Sequence, residues 1–529
     1  MKIAHSLPVL VLAFALSASA WAEVQPNPLF SDGAVLQRDA SVPVWGKATK
    51  EGEKVTVRFD GQSETTTAKD GKWMVHLKPH KAGGPFVLTI EGENTVTVNN
   101  VLVGEVWVCS GQSNMAFRFK MAANAATEGP TANYPKLRMF TVEKKNSFQP
   151  LSELTGQWVE CSPTTVSDFS AVGYFFGRDI HKALGVPVGM IHSAVGGTPA
   201  QAWTSLSGLE KPPQFKDYVE AAKNGMSNNE QAKVKYAQEL ADFKTKIQQW
   251  NKEVGKDYSE ALKAWTAENK KNEAAGNPQS PMPTPSAPKP VAPAPIDGAK
   301  CPTVLFNGMI APVVPYAIKG VIWYQGEANA GNSVEYRTLF PRMIADWREK
   351  WGQGAFPFLF VQIAPFMGKP PEMREAQLLS WKNTPNTAMT VTTDVGEANN
   401  IHPKQKEPVG ARLALAARAL AYGEKIEYSG PVFDSLKIDQ NRAVLSFKHV
   451  GSGLLAKGGE LKGFTIAGAD QKFIDAKAAI KGDTVVVSSE QVSAPVAVRY
   501  GWANVPDVNL YNKEGLPASP FRTDTESEK

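Results

Sequence analysis

The sequence contains the run Val106-Trp107-Val108-Cys109-Ser110-Gly111-Gln112-Ser113-Asn114-Met115. It begins with apolar residues and changes directly to polar ones, and the fold prediction starts from it. A near-continuous apolar run is typical of a strand that is buried on both faces of a parallel sheet. Ligands of such sheets bind just beyond the carboxyl ends of the strands. The sequence therefore predicts that Ser113 lies at the reactive edge of a buried sheet.

Four further apolar runs alternate with helical patterns and predict neighbouring strands of the same sheet: 186–192, 318–324, 356–363 and 388–393. Strands that alternate with helices indicate an α/β fold in which helices cover a parallel sheet. We assign this α/β domain to residues 101–425. On its two sides, short apolar runs separated by turn residues predict β structure. They indicate a β-sandwich at 23–100 and a C-terminal β domain at 426–529, either another sandwich or an extension of the first.

An insertion at residues 208–300 interrupts the α/β domain. Apolar residues recur in it at steps of four and three, which predicts one packed face of a helix: Tyr236, Leu240, Phe243, Ile247, Trp250 and Val254. We expect Gly255 to end this helix and a second helix to form a hairpin with it. A proline-rich stretch, 278–295, should be extended and solvent-exposed. We interpret the insertion as a structural excursion rather than a binding element.

The N-terminus predicts export. Residues 1–22 combine Lys2, a short apolar run and the small-x-small site Ala20-Trp21-Ala22, as a cleavable signal peptide does. A membrane span needs ~20 apolar residues, which neither this run nor any later segment reaches. We expect a periplasmic or secreted protein, in which a bridge between Cys161 and Cys301 is permitted but not established.

Composition excludes other classes of partner and site. The formal net charge is +5 over 529 residues, and the lysines are dispersed, so a nucleic acid partner is not expected. The chain has neither a CxxC pair nor an HExxH motif, so a structural zinc or zincin site is not expected. The oligomeric state cannot be deduced from these features.

Catalysis by Ser113 requires a base, because a serine hydroxyl is a poor nucleophile at neutral pH. Among the seven histidines, His402 lies in a polar loop between a predicted strand and a predicted helix, which suits a general base. The surrounding pattern is not a G-x-S-x-G elbow, since Met115 occupies the position of the second glycine. Two other strand ends provide donors for a developing oxyanion: the backbone of Gly196-Gly197 and the side chain of Gln325.

At these residues the sequence resembles the sialate O-acetylesterase family of SGNH-type hydrolases. The matching stretches are 104–115, 192–203, 305–312, 317–327 and 401–403. The resemblance implies a three-layer α/β hydrolase core with additional β regions. It also implies that Ser113 is the nucleophile and His402 the base, with oxyanion donors from the Ser113 N–H, Gly196 or Gly197, and Gln325. The implied reaction is hydrolysis of an O-acetyl ester on a sugar, sialic acid being the family's named substrate, without a cofactor.

The chain departs from the family pattern near the base. Asn399 and Asn400 stand where the family often carries an aspartate, so Asp394, Glu397 or a backbone carbonyl remain candidates to orient His402.

The sugar pocket also departs from the pattern, since Gln201 stands where the family tends to carry a glutamate. Asn114, Glu327 and Arg374 are candidates for substrate contacts, and Arg118 or Arg374 would suit an acidic sugar.

Other functions remain open from the sequence. The same chemistry could act on acetylated xylan or another polysaccharide. The missing aspartate also permits a non-catalytic sugar-binding protein on an esterase scaffold. A lipase or general carboxylesterase would need a large apolar lid, to which the lysine-rich insertion is unsuited.

Overall fold

A computed structural model describes residues 23–227, 230–275, 283–296 and 298–524. The predicted signal peptide, 1–22, and the first residues of the proline-rich stretch, 278–282, lie outside this part of the chain.

The N-terminal part is all β, as its turn-rich pattern predicts. Its strands are β1 (Val24–Pro26), β2 (Val35–Gln37), β3 (Val42–Ala48), β4 (Lys54–Phe59), β5 (Gln62–Thr67), β6 (Lys72–Leu77), β7 (Gly83–Glu91) and β8 (Thr95–Gly111). Strands β1, β3 and β6 form one antiparallel sheet, and β4, β5, β7 and the first part of β8 pair in another. Val44 and Val75 of the first sheet and Val57 and Ile90 of the second belong to one hydrophobic core.

Strand β8 belongs to two regions of the molecule. Residues 95–103 pair antiparallel with β7, whereas residues 105–111 lie in the parallel part of the central sheet. The domain boundary that we placed at residue 100 falls within this single strand. The N-terminal β region and the α/β region are therefore joined by continuous sheet and not by a linker.

The central sheet is mixed. Its further strands are β9 (Tyr134–Thr141), β10 (Trp158–Cys161), β11 (Val188–Ala194), β12 (Gly320–Tyr324), β13 (Phe358–Val361) and β14 (Thr387–Thr390). Their order is β10-β9-β11-β8-β12-β13-β14, in which only β10 runs antiparallel to its neighbour. The four apolar runs that we predicted as strands correspond to β11, β12, β13 and β14, which confirms them. Strands β9 and β10 were not predicted.

Helices cover both faces of this sheet. The helices of the described residues are α1 (Ala125–Glu128), α2 (Ala171–Leu184), α3 (Leu206–Glu210), α4 (Lys216–Met226), α5 (Glu230–Trp250), α6 (Lys256–Ala275), α7 (Ser333–Trp351), α8 (Pro371–Asn383) and α9 (Glu407–Leu420). Helices α2 and α9 share a core with Trp107 and Cys109 of β8. Helices α7 and α8 share the other core with Val106 and Val108. Successive residues of the strand thus face opposite sides, and the fold is α/β with additional β-sheets.

The insertion does not form the predicted hairpin. Helices α5 and α6 are joined by a π-helical turn, Asn251–Gly255, and the flanking Trp250 and Lys256 have right-handed helical backbone angles. Gly255 continues the helix because the i→i+5 bond from Lys256 N–H to Asn251 accommodates the extra residue. The proline-rich stretch is not wholly exposed either, because Nε1 of Trp250 donates to the carbonyl of Ala287 at 2.9 Å.

The chain returns to β structure after α9. The strands are β15 (Val432–Asp439), β16 (Arg442–Lys448), β17 (Leu454–Ala456), β18 (Phe464–Ala467), β19 (Ile474–Asp475), β20 (Lys477–Lys481), β21 (Thr484–Ser488), β22 (Ala497–Tyr500), β23 (Leu510–Asn512) and β24 (Phe521–Arg522). They form sheets ordered β15-β16-β21-β20 and β19-β18-β22-β24, and a pair β17-β23. Within the described ranges none of them pairs with β1–β8, so this region is not an extension of the first sheets.

Two observations concern the chain as a whole. Cys161 is a buried free thiol whose Sγ donates to the carbonyl of Ala132 at 3.7 Å, so the bridge to Cys301 is not formed. No helix in the described part of the chain is both long and apolar enough to cross a membrane.

Candidate active site

The carboxyl ends of three neighbouring parallel strands meet beside Ser113. Gly111, the last residue of β8, is the register partner of Ala194 at the end of β11 and of Tyr324 at the end of β12. Gly111 has φ +136°, and a Cβ there would collide with the Tyr324 carbonyl. Only glycine therefore permits the turn that carries Ser113 out of the sheet.

Ser113 and His402 lie in hydrogen-bond contact, although 289 positions separate them: Nε2 of His402 is 2.8 Å from Oγ of Ser113. Both residues are partly buried. This distance allows direct proton transfer between the two groups. Burial lowers the pKa of His402, and the charge of Lys406 lowers it further. The imidazole is therefore neutral at neutral pH and can accept a proton.

Neither carboxylate considered for the third triad position contacts the His402 ring. Asp394 accepts bonds of 2.8 and 2.6 Å from the guanidinium of Arg412, which draws it toward α9. Glu397 accepts the N–H of Lys404 at 2.8 Å and Nδ2 of Asn400 at 3.0 Å. Nδ1 of His402 has no hydrogen-bond partner among the residues that the structure describes. Asp394 and Glu397 are thus both engaged elsewhere in this structure, and a ring-orienting role for either one stays a prediction.

The histidine is held through its main chain. Oδ1 of Asn400 accepts the His402 N–H at 3.0 Å, and Nδ2 donates to the His402 carbonyl at 2.9 Å. Glu397 supports Asn400 from behind, and the bonds from Lys404 and Asn400 lower the pKa of Glu397. Asn400, which replaces the expected aspartate, therefore fixes the backbone of the base instead of its ring.

Two backbone amides beside Ser113 are suited to an oxyanion hole. A Cβ built on Gly196 would lie 3.4 Å from the Cβ of Ser113, so the two backbones are adjacent. Gly196 and Gly197 are exposed, and Gly197 has φ +72°. Across the described ranges, the N–H groups of Ser113, Gly196 and Gly197 have no intramolecular acceptor. They are available to a bound carbonyl oxygen.

Gln325 does not join these donors. Its Nε2 donates to Oδ1 of Asn329 at 2.7 Å and to the Thr198 carbonyl at 3.3 Å, while its Oε1 accepts from Tyr336 at 3.0 Å. The side chain is fully buried. The amide of Gln325 bonds the loop after β12 to the loop after β11 in this structure, and its oxyanion role stays a prediction.

The three candidates for sugar contacts are also buried: Asn114 and Arg374 are 0% exposed and Glu327 is 4% exposed. Arg374 donates to the carbonyls of Ala503 and Asn504 in the C-terminal β region, and burial lowers its pKa to about 10. Protein atoms enclose Asn114, Glu327 and Arg374, so these three side chains present almost no surface to a substrate in this structure.

Glu327 and Lys406 instead lie behind the nucleophile. Glu327 accepts Nε2 of Gln112 at 2.7 Å and Nδ2 of Asn114 at 2.6 Å. Nζ of Lys406 donates to Oδ1 of Asn114 at 2.6 Å. Burial raises the pKa of Glu327 and lowers that of Lys406 to about 7. Sequence reasoning missed Lys406, since a lysine ahead of a helix carries no pattern that predicts burial.

Two lysines and an exposed methionine lie on loops that carry or contact site residues. Lys369 is partly buried and donates to the main-chain carbonyl of Glu327 at 2.7 Å, and Lys404 is exposed two residues after His402. Met367 is 47% exposed, and its carbonyl accepts Nδ2 of Asn504 at 2.6 Å. Arg118, the other candidate for an acidic sugar, is exposed and ion-paired with Asp168.

In the described residues, no three His, Cys, Asp or Glu side chains converge as a metal site would require.

Comparison with known proteins gives concordant matches. The model of the carbohydrate esterase, sialic acid-specific acetylesterase family matches residues 103–253 and 304–419. Human sialate O-acetylesterase is 29% identical over 97% of this chain and 96% of its own. The rat protein of that name is 30% identical over 92% of both chains. A solved carbohydrate acetylesterase from Xanthomonas citri has a TM-score of 0.77 and 37% identity, and the match covers 95% of this chain and 100% of that one.

Fold and matches define the class: this protein is a carboxylic ester hydrolase. Within that class, the chain belongs to the carbohydrate esterase, sialic acid-specific acetylesterase family. This membership confirms the resemblance, and it favours an enzyme over a non-catalytic sugar-binding protein.

Proposed function

We propose that this enzyme removes O-acetyl groups from sugars through an acetyl-enzyme intermediate, with Ser113 as nucleophile and His402 as general base. The 2.8 Å contact between Ser113 Oγ and His402 Nε2 is the observation that carries the proposal. The depressed pKa of His402 supports it, because a neutral imidazole is the form that accepts a proton. The unbonded N–H groups of Ser113 and Gly196 also support it.

The reaction proceeds in two steps. His402 takes the hydroxyl proton of Ser113 while Oγ attacks the acetyl carbonyl carbon, and the N–H groups of Ser113 and Gly196 bind the oxyanion. Collapse breaks the bond to the sugar oxygen, which receives the proton from His402. A water molecule, deprotonated by His402, then attacks the acetyl-enzyme, and acetate leaves as Ser113 regains its proton.

For the sugar we propose an acetylated sialic acid. The names of the human and rat relatives and of the family support this choice. Lys369, which contacts Glu327, and Lys404, two residues after His402, also support it, because a sialic acid carries a carboxylate that a cation would attract. Acetylated xylan or another neutral polysaccharide is the second candidate. The name of the Xanthomonas citri enzyme, which specifies only a carbohydrate, favours this broader class.

The finer fold and the location extend the proposal. Helices on both faces of a parallel sheet support a three-layer SGNH-type core. We also propose that residues 1–22 direct export and are removed, so that the enzyme acts in the periplasm or outside the cell. Mass spectrometry of the protein recovered from its native host tests this, since export predicts a mature chain that begins near Glu23.

One experiment separates the main possibilities. Acetate release is measured on O-acetylated sialic acids and on acetylated xylan, with the wild-type enzyme and with Ser113→Ala. We expect faster release from sialic acids, no release by the variant, and labelling of Ser113 alone by a fluorophosphonate. Release that survives Ser113→Ala would refute the mechanism, and a preference for xylan would refute only the choice of sugar.

A further inference from the structure

One buried carboxylate holds both neighbours of the nucleophile. Glu327 accepts 2.7 and 2.6 Å hydrogen bonds from the side chains of Gln112 and Asn114, the residues directly before and after Ser113. Gln112 also accepts the N–H of Ala328 at 3.3 Å, so the loop that carries Glu327 is bound at a second point. The backbone on both sides of Ser113 is therefore tied to the loop after β12.

Asn114 also connects the nucleophile to the base. Its Nδ2 donates to Glu327 and, at 3.0 Å, to the carbonyl of Ile401, the residue before His402. Its Oδ1 accepts Nζ of Lys406, four residues after His402. Both the nitrogen and the oxygen of the Asn114 amide therefore bond to residues near His402 in the chain, namely Ile401 and Lys406.

Lys406 is enclosed at the centre of this arrangement. It is 1% exposed, and its Nζ lies 4.7 Å from the ring centre of Phe117 and 5.3 Å from that of Tyr324. The charged or titratable groups that act on it electrostatically are Glu327, Glu397 and His402. A buried ammonium group is costly unless it is hydrogen-bonded, so the bond to Asn114 holds Lys406 and the amide together.

We propose that Glu327, Asn114 and Lys406 are positioning residues that set the distance between Ser113 and His402 through the hydrogen bonds of Asn114. This inference rests on the proposed Ser–His mechanism. None of the three side chains touches the substrate, so they act on the rate of acyl transfer and not on sugar binding. They hold His402 in position, which is the role that an aspartate bonded to the histidine ring would otherwise have.

The first test is Glu327→Gln in the full chain. In this variant an NH₂ group replaces one carboxylate oxygen. It then faces the side-chain NH₂ of Gln112 or Asn114, which is also a donor, so one of the two hydrogen bonds is lost. A displacement of about 1 Å can cost about 100-fold in rate, so we expect kcat to fall about 10- to 100-fold with KM within about twofold. The rate of fluorophosphonate labelling at Ser113 should fall in parallel.

The second test is Lys406→Met, which keeps the length of the side chain among Phe117 and Tyr324. Without the ammonium group, the pKa of His402 rises, so the acidic limb of the kcat/KM profile should move to higher pH. A purely structural role would lower activity without moving this limb. This variant also decides the proposal if Glu327→Gln does not fold.

Glu105→Gln is the matched control. Glu105 is a 1% exposed carboxylate at the opposite end of the parallel part of β8 from Ser113, where it accepts Nε2 of Gln37 at 3.0 Å and Nε of Arg38. We expect its kcat to remain near the wild-type value. If Glu327→Gln and Lys406→Met keep the wild-type kcat and pH profile while the wild type is labelled at Ser113, the positioning role is wrong. If the wild type itself is not labelled, the Ser–His mechanism has failed.

Discussion

The nucleophile loop (residues 111–116) and the histidine loop (residues 394–406) are joined by the bond between Ser113 and His402 and by the bonds of Asn114 to Ile401 and Lys406, but they are stabilised differently. Buried side chains fix the nucleophile loop, with Glu327 only 4% exposed behind Ser113. The clamp that Asn400 and Glu397 form on His402 is only partly buried. A hydrogen bond in contact with water contributes less net free energy than a buried one, because water replaces the lost partner. Comparable truncations should therefore cost more activity in the nucleophile loop.

The largest effect is expected where the two loops meet. His402→Ala removes the base, and kcat should fall by about 10⁴-fold or more, as in other hydrolases that use a serine. The fold should remain intact, because the ring lies at the surface of the site. Acetate release and thermal unfolding measured together check this. A variant with a tenth of the wild-type activity would show that the base is another group.

Removing a buried bond of the nucleophile loop should have the next largest effect. Gln112→Ala deletes the 2.7 Å bond to Glu327 and the acceptor of Ala328. We expect kcat to fall about 10- to 100-fold, because the backbone before Ser113 is released. Steady-state kinetics provide the measurement. A wild-type kcat would mean that Asn114 alone fixes the loop.

The equivalent change in the histidine loop should be milder. Asn400→Ala removes both main-chain bonds to His402, but water can replace them. A decrease in kcat of about tenfold or less is expected, smaller than for Gln112→Ala measured in parallel. The reverse order of the two decreases would overturn the comparison between the loops.

The two carboxylates of the histidine loop should matter least to the reaction. Glu397→Gln weakens the support of Asn400, and we expect a loss of about threefold or less. Asp394→Asn breaks the bonds to Arg412 and should cost about 1 kcal/mol of unfolding free energy, with kcat nearly unchanged. Chemical denaturation and acetate release distinguish the two effects. A loss of 100-fold in either variant would restore that carboxylate as a triad member.

The pH profile refines the comparison. Because burial and Lys406 lower the pKa of His402, the base stays unprotonated below the usual midpoint of a histidine, ~6.5. The acidic limb of kcat/KM should therefore lie below pH ~6.5 and follow the rate of labelling at Ser113. A limb above that pH would mean that the environment of His402 stabilises the imidazolium.

The sequence allowed the parts of the site that depend on strand pattern to be predicted. Ser113 follows an apolar run, and His402 is the histidine in a loop at the same edge of the sheet. The rule for strand ends was therefore enough to predict that they meet. Their separation of 289 positions shows that topology, and not proximity along the chain, brings them together.

The sequence did not reveal the choice of hydrogen-bond partner. Gln325, Asp394 and Glu397 all lie close to the strand ends, but each bonds to a nearby group that the one-dimensional pattern does not identify. The insertion is a similar case. A glycine ends a helix only where its backbone adopts non-helical angles, and Gly255 lies within a helical turn. The packing around each side chain determines its hydrogen-bond partner. This packing leaves no periodic pattern in a single sequence from which it could be predicted.

Strand β8 has a consequence for how this molecule can be divided. Its first half completes a sheet of the N-terminal region, and its last residues present the nucleophile, so one uninterrupted backbone segment serves both. Cutting before it would deprive β7 of one of its two partner strands, and cutting after it would remove the middle of the reactive sheet. The N-terminal region is consequently not a separable domain. A shortened enzyme that begins at the family-matched residues would lack the first half of β8.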